Sequence, residues 1–575
     1  MRLALALLSL HVSTLAQGVQ HPLQYTSAAI LDSDMDTFIE GVISSWNSSG
    51  GAGVAVVKQR EDESWQVETK GYGIAKVAEG KSLDADSLFY IASNSKLFAT
   101  IATGLLISNE SLSPRLSWDT KIADILPEHI WKLQDPIASA ETTITDAMSH
   151  RTGLPRHDAM YSREDDIESI YNDIMYMLLG YLPTVTLAEK PTIATYIKEH
   201  IFNPLGLSSA TYSLASARWS GHLVDPIVRE VNKTEDLFGR GKPRVLRYPT
   251  WFQEDREDGS SGAGGIIMSV KDVATWLRVL LLEGKNPQTG DQVIPREIIR
   301  KVASGITVMS AEPEYPEVSN VVYGGGQMRS SYRGNDIIEH TGSVPGYQTH
   351  ITRLPNSKFG IAVFANDGDY GMQFAEVIKW RIVDQVLGPD PVDWNSRIKS
   401  RVRESYQKRQ SKPRPRPENP IPPPITFEEL AGVYQDLGYG DLELCYVSTS
   451  RPDKESKSCN KLREDQDVVL PNAVNKDIPT LLARWDRFWF SHFKLEHVDG
   501  ALFTLTKLDS RPTSNASEPY WTATTDEPFT TEFVVEDRKI GFGMMDGFWG
   551  AGAGVDGPAE GSAKERAEVW FEKIQ

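Results

Sequence analysis

Between Asp32 and Trp46 apolar side chains recur at helical intervals, which predicts an amphipathic helix near the start of the chain. Val54–Val57 and Trp65–Gly71 read as strands joined through a charged turn at Gln59–Glu63. The run from Tyr90 to Leu105 then predicts a buried helix, with Ser93 and Lys96 in its first turn. Strand patterning returns around residues 322–364. Strands at both ends with helices between them predict an α+β fold, an antiparallel sheet flanked by helices.

From Lys408 to Pro424 the pattern gives way to Lys-Arg-Gln-Ser-Lys-Pro-Arg-Pro-Arg-Pro-Glu-Asn-Pro-Ile-Pro-Pro-Pro. Proline removes backbone donors and favours extended backbone, so residues 408–424 read as a semi-rigid linker. Beyond it Leu430–Tyr434, Leu442–Val447, Ala501–Thr506 and Phe533–Glu536 are short strand-like segments broken by polar turns. They predict a small antiparallel barrel or sandwich over residues 425–575. Phe548-Trp549-Gly550 and the small residues after it fit a tight turn packed on that barrel better than a ligand mouth.

The most informative chemistry is Ser93-Asn94-Ser95-Lys96. Side chains at i and i+3 share a helix face, so Lys96 can reach the Ser93 oxygen. A serine hydroxyl is a weak nucleophile until a neighbouring base takes its proton, and a desolvated lysine can be that base. The spacing alone is unspecific: it recurs at Ser396/Lys399, Ser405/Lys408, Ser458/Lys461 and Ser491/Lys494, none in a comparable apolar setting.

Two downstream segments separate Ser93 from these. Tyr171-Asn172-Asp173 places a phenol just ahead of the apolar run Ile174–Leu179, where it can relay a proton. His340-Thr341-Gly342-Ser343 ends an apolar strand; its glycine permits close backbone approach, and the Ser343 N–H can serve as an oxyanion donor.

Ser-x-x-Lys, a tyrosine block and Lys/His-Thr-Gly, in that order, resemble the serine β-lactamase and penicillin-binding-protein superfamily, in its class C and esterase-like branch. Met148–Pro155, Ile201–Leu207 and Gly262–Ile267 followed by Asp272–Leu277 resemble the same family, so the likeness spans roughly residues 30 to 390. The resemblance implies Ser93 as acylated nucleophile, Lys96 as its base partner and Tyr171 as general base, then acid. It implies the Ser93 and Ser343 amides as oxyanion hole, and His340, Thr341 and Gly342 along the substrate. It also implies a lipocalin-like C-terminal domain. One position departs: Asp173 stands where the family usually has asparagine. An ionised carboxylate only accepts hydrogen bonds, whereas an amide also donates, which disfavours amide and lactam substrates.

Met1-Arg2, the apolar Leu3–Leu10 and then Thr14-Leu15-Ala16 read as a signal peptide over residues 1–16. The catalytic domain is then expected over 17–407. No later run is long and uncharged enough for a membrane span. Sequons at Asn47, Asn109, Asn232 and Asn515 fit a secreted glycoprotein. The two cysteines, Cys445 and Cys459, can pair in an oxidising compartment, closing a loop worth about 3 kcal/mol. With 575 residues the chain is long enough for two cores, and its net charge of −18 argues against nucleic acid and anionic membranes as partners. No metal or cofactor is implied.

The expected activity is that of a secreted serine hydrolase forming an acyl-enzyme on an ester, amide or lactam carbonyl of a small molecule or short peptide. An acyltransferase in secondary-metabolite tailoring, or a silent binding protein of the same fold, are the alternatives. The sequence leaves the oligomeric state open.

Overall fold

The computed structural model describes residues 29–574 apart from 134, 158, 161–174, 232, 234, 249–260, 411–413, 448–455, 525–527 and 551–559. The signal segment, Tyr171, Asp173 and Asn232 therefore lie outside the described residues.

The first sheet has nine strands: β1 (Gly51–Gln59), β2 (Trp65–Lys76), β3 (Lys81–Ser82), β4 (Thr307–Ser310), β5 (Val321–Tyr323), β6 (Met328–Tyr332), β7 (Asn335–Val344), β8 (Tyr347–Leu354) and β9 (Phe359–Ala365). Their spatial order is β3-β2-β1-β9-β8-β7-β6-β5-β4, and neighbours run antiparallel. The central strands are apolar on both faces because both are covered. Val54 and Val56 of β1 and Ile361 and Val363 of β9 join one core, with α1 (Ser33–Ser45) and a long later helix over Gly371–Leu387. Ala55, Val57, Ala362 and Phe364 point the other way, into the larger core around the helix of Ser95–Ser108. The expected first helix, hairpin and later strands are all present, as is the α+β layering.

In chain order the helices that matter below are α2 (Ser95–Ser108), α3 (Ile144–Met148), α4 (Met175–Thr186), α5 (Ser261–Gly264), α6 (Val270–Leu281), α7 (Gly371–Leu387) and α8 (Trp394–Gln410). Phe98 of α2 stacks on Trp276 of α6 at 4.3 Å, locking α2 to the sheet through the layer above it.

On the α7 side of β7, Lys379 is 3% exposed and its Nζ donates to Glu339 at 2.9 Å; Thr352 Oγ1 donates to the same oxygen at 2.7 Å. Burial opposes the Glu339 charge, but Lys379 and Thr352 outweigh it and hold the carboxyl below its usual range. Removing one partner strands the other charge. Lys379→Ala is therefore expected to cost about 3–5 kcal/mol, read as a lower urea midpoint; a loss under 1 kcal/mol would show that water reaches Glu339.

The second sheet is closed. Its strands are β10 (Gly432–Asp436), β11 (Gly440–Tyr446), β12 (Thr480–Arg484), β13 (His492–Asp499), β14 (Leu502–Pro512), β15 (Tyr520–Thr524), β16 (Phe529–Glu536), β17 (Lys539–Met544) and β18 (Val569–Lys573). Apart from β15, which extends the far end of β14, each pairs with the next along the chain and β18 returns to β10. The result is a closed eight-stranded up-and-down barrel. Tyr434, Trp485, Phe503, Phe533, Phe542 and Phe571 fill its interior. Phe548 is buried in the same cluster, against Phe529 and Tyr439, as the tight-turn reading expected.

Some boundaries differ from the sequence expectation. Leu430 ends a short helix (Phe427–Leu430) opened by a Thr426/Glu429 capping box, so β10 starts two residues later than its apolar run. Lys457–Val469 is helical, and Cys459 within it is disulfide-bonded to Cys445 of β11. α8 carries helix to Gln410, inside the predicted linker. The proline segment lies along the barrel, with Arg416 Nε donating to the His497 carbonyl at 3.0 Å and the Ile421 N–H to Asp499 at 2.7 Å. Among the described residues no helix is long and apolar enough to cross a membrane.

Candidate active site

The strand Leu88–Tyr90 pairs with Ile267–Ser269, and the Ile91 N–H donates to the Ile266 carbonyl at 2.9 Å. Ala92 then takes φ +48°, a left-handed conformation costing a non-glycine residue on the order of 1–2 kcal/mol. This sharp turn sends the chain through one 3₁₀ turn (Ala92–Asn94) into α2. Ser93 thus sits at the elbow rather than in the first α-helical turn, because the strand must reverse before the helix starts. The strain is held by the Ile91–Ile266 bond and by Ser95 Oγ, which accepts the Ile266 N–H at 3.1 Å.

Lys96 Nζ lies 2.9 Å from Ser93 Oγ, so the i, i+3 expectation holds geometrically. It also donates to the Ala263 carbonyl of α5 at 3.5 Å, and it sits 5.6 Å from the centre of the Tyr176 ring. Burial raises the Tyr176 phenol well above its usual range, although Tyr323, Thr100 and the Gly326 amide oppose that shift; its hydroxyl donates to the Met148 carbonyl. Tyr176 is therefore a wall for the ammonium, not a phenolate.

The strand β7 supplies the opposite side. Its partner β6 covers it only as far as Glu339, so from His340 to Val344 β7 pairs with β8 alone and Ser343 lies exposed on the strand's free end. Gly342 is pressed on the turn that carries Ser93: a Cβ there would stand 2.2 Å from the Ile91 carbonyl oxygen and 2.5 Å from Thr349 Oγ1. Thr349 Oγ1 in turn donates to that carbonyl at 3.1 Å and accepts from Asn94 Nδ2 at 2.9 Å. Only glycine lets the strand carrying Ser343 come this close to the turn carrying Ser93. Thr341 is partly exposed beside it.

His340 Nδ1 is 2.5 Å from the Thr341 carbonyl oxygen and must donate to it, which leaves Nε2 to accept from the Tyr323 hydroxyl at 3.0 Å. Desolvation, then the Lys96 charge, push His340 down to about 3. The same two causes push His150 down to about 4, where its ring packs between Tyr176 and Tyr323. Both imidazoles are neutral between pH 5 and 8. Among the described residues, the two neutral imidazoles and the Tyr176 phenol lie around Lys96.

The structure brings together Ser93, Lys96, His340, Thr341, Gly342 and Ser343. Tyr171 and Asp173 are outside the described residues. Sequence reasoning gave no role to His150, Tyr176 and Tyr323. His150 and Tyr176 lie in segments that carry the family likeness, whereas Tyr323 joins the site only through the sheet order. Asn47 and Asn515 are exposed and Asn109 is half-buried. Among the described residues no group of three or more His, Cys, Asp or Glu side chains is placed to hold a metal ion.

The chain is 27% identical over 462 residues to the Unguisins hydrolase ungD of Aspergillus violaceofuscus, covering 72% of this chain and 76% of the relative. Among solved structures, the octameric penicillin-binding protein homologue from Pyrococcus abyssi aligns with 94% of this chain and 99% of its own, at 15% identity and TM-score 0.49. A class C beta lactamase from Rhodobacter sphaeroides aligns with 62% of this chain and 100% of its own, at 18% identity and TM-score 0.46. Residues 41–385 match the family model described as Beta-lactamase, and the chain belongs to that family.

Proposed function

We propose that the protein is a secreted serine hydrolase that works through an acyl-enzyme on Ser93. The observation that carries this is Lys96 Nζ at 2.9 Å from Ser93 Oγ, on a strained elbow facing the free end of β7. Lys96, as the neutral amine, takes the Ser93 proton as the hydroxyl oxygen attacks an ester, amide or lactam carbonyl. The carbonyl oxygen gains charge and is received by the Ser93 and Ser343 amides. Tyr171, placed by resemblance, protonates the leaving group and then helps water release the acyl group. Hydrolysis is preferred to acyl transfer because the Aspergillus relative bears a hydrolase name. The signal segment and the sequons at Asn47, Asn109, Asn232 and Asn515 support secretion as a glycoprotein. The closed up-and-down barrel supports a lipocalin-like C-terminal domain. Turnover of aryl esters by the wild type and its loss in a folded Ser93→Ala variant test the reading; undiminished turnover by the alanine variant removes it.

His340 narrows the substrate class. A lysine there would offer a charge to a substrate carboxylate, whereas this imidazole stays neutral well below pH 5. Short aryl esters are therefore expected to give a higher kcat/KM than penicillins or cephalosporins. His340→Lys should raise kcat/KM for a cephalosporin roughly tenfold, the equivalent of one hydrogen bond to a charged group of about 1.5 kcal/mol. A wild-type preference for cephalosporins over p-nitrophenyl esters would contradict this.

Asp173, carried to the family's asparagine position, would hold Lys96 protonated and oppose a Tyr171 phenolate. Both effects move the ascending limb of the pH–rate profile upward. Asp173→Asn is expected to move that limb toward acid and to improve amide turnover. An unshifted profile from a folded variant would place Asp173 away from Lys96.

A further inference from the structure

The barrel grips two segments of the catalytic region, and each runs on to an element packed against Lys96. The first is Arg156–Met160, which leaves the site just after His150. The His157 N–H donates to the Trp549 carbonyl at 2.8 Å and the Arg156 N–H to the Gly550 carbonyl at 3.3 Å. His157 Nδ1 lies 2.8 Å from the Tyr439 hydroxyl, and Arg487 Nη1 donates to the Met160 carbonyl at 3.2 Å. Ala159 is 1% exposed because it is inserted into the barrel's own aromatic core. The chain next described is α4, whose Tyr176 flanks Lys96.

The second segment is Val245–Arg247. The Arg247 N–H donates to the Pro512 carbonyl and the Ser514 N–H to the Val245 carbonyl, both at 2.9 Å, around a Leu246–Thr513 bridge. Nearby Glu518 receives both Lys242 and Arg244. The chain next described is α5, whose Ala263 carbonyl accepts from Lys96. Between the two grips, Phe488 of the barrel is buried in the core that contains α2, α4 and α6.

His157 has φ +47°, a strained conformation for a residue with a side chain. Strain of this kind persists only where the surroundings over-determine it, and here the surrounding donors and acceptors come from the barrel. We infer that the barrel is a positioning element of the active site, with Tyr439 and Arg487 as the latch that fixes the 156–160 segment. The barrel anchors the residues described just before α4 and α5, and through those anchors it bears on the placement of Tyr176 and Ala263 around Lys96. Tyr439 and Arg487 touch neither Ser93 nor Lys96; they act through the segment they hold. The consequence for rate rests on the acyl-enzyme reading above, whereas the consequence for backbone order does not.

Tyr439→Phe, in the full chain, keeps the buried ring and removes the hydroxyl from His157. Amide exchange in peptides from 144–160 and 175–186 is expected to quicken at least tenfold, with peptides from β1 and β9 unchanged. kcat for an aryl ester should fall roughly tenfold with KM within twofold. Arg487→Gln should give the same pattern, so the test does not hang on one variant folding. Phe533→Leu, inside the barrel and away from the latch, should lower Tm without altering exchange in those peptides. Unchanged exchange at 144–160 and 175–186, or an equal change in Phe533→Leu, would overturn the inference. A wild type with no esterase turnover would instead overturn the acyl-enzyme reading, leaving exchange to decide the role of the barrel.

Discussion

Lys96→Met is expected to lower kcat/KM for an aryl ester by about a thousandfold while the protein still folds. As the neutral amine, Lys96 Nζ is placed to take the Ser93 proton at 2.9 Å, and general-base assistance contributes about 10²–10⁴ in rate. Two of its described neighbours, His340 and Tyr176, do not offer a substitute. His150 and His340 are neutral, yet the His340 ring nitrogens are committed to the Thr341 carbonyl and to Tyr323, and the Tyr176 phenol is held by the Met148 carbonyl. Methionine matches the lysine stem in length and flexibility, so the stability cost should stay below about 1.5 kcal/mol. Steady-state kinetics beside a thermal melt separate the two effects. A folded Lys96→Met enzyme within tenfold of wild type would show that another group deprotonates Ser93.

Gly342→Ala should cost roughly a hundredfold in kcat. The added methyl would fall 2.2 Å from the Ile91 carbonyl oxygen, a backbone atom at the base of the turn carrying Ser93, and 2.5 Å from Thr349 Oγ1. Relief needs about 1 Å of separation between β7 and that turn, and misplacement on that scale costs about 10²-fold. The Ser343 amide would move away from Ser93 with the strand. Because the oxyanion exists only after attack, the loss should fall on kcat more than on KM. Overpacking adds a stability loss of about 1–3 kcal/mol, visible as a lower Tm. A variant with kcat within threefold of wild type would mean that the oxyanion is not received on this strand.

The parts of this molecule that were legible in its sequence are those set by local periodicity. The spacing of Met35, Ile39 and Val42 specifies one helix face, and the run Val54–Val57 specifies a strand buried on both sides. Ser93 and Lys96 are one helical step apart, so their meeting is a local property. Tyr323 could not be found this way, because it reaches His340 only when β6 and β7 fold back as a hairpin beside β5. An imidazole of ordinary pKa is largely neutral only above about pH 7. Desolvation and the nearby ammonium extend that range at His340 by several pH units, and both are tertiary effects. In the second sheet, β12, β13, β15, β17 and β18 were missed, since short strands give weak alternation. The grip on Arg156–Met160 was invisible for a different reason. It joins His157 to Tyr439 across 282 residues, through hydrogen bonds that no local pattern encodes.

Acylation of Ser93 is the central claim, and intact mass after incubation with a fluorophosphonate probe tests it most directly. A single adduct is expected on the wild type, mapped by peptide sequencing to Ser93 and missing from a folded Ser93→Ala variant. An unlabelled wild type, or an adduct that survives the alanine substitution, would contradict it.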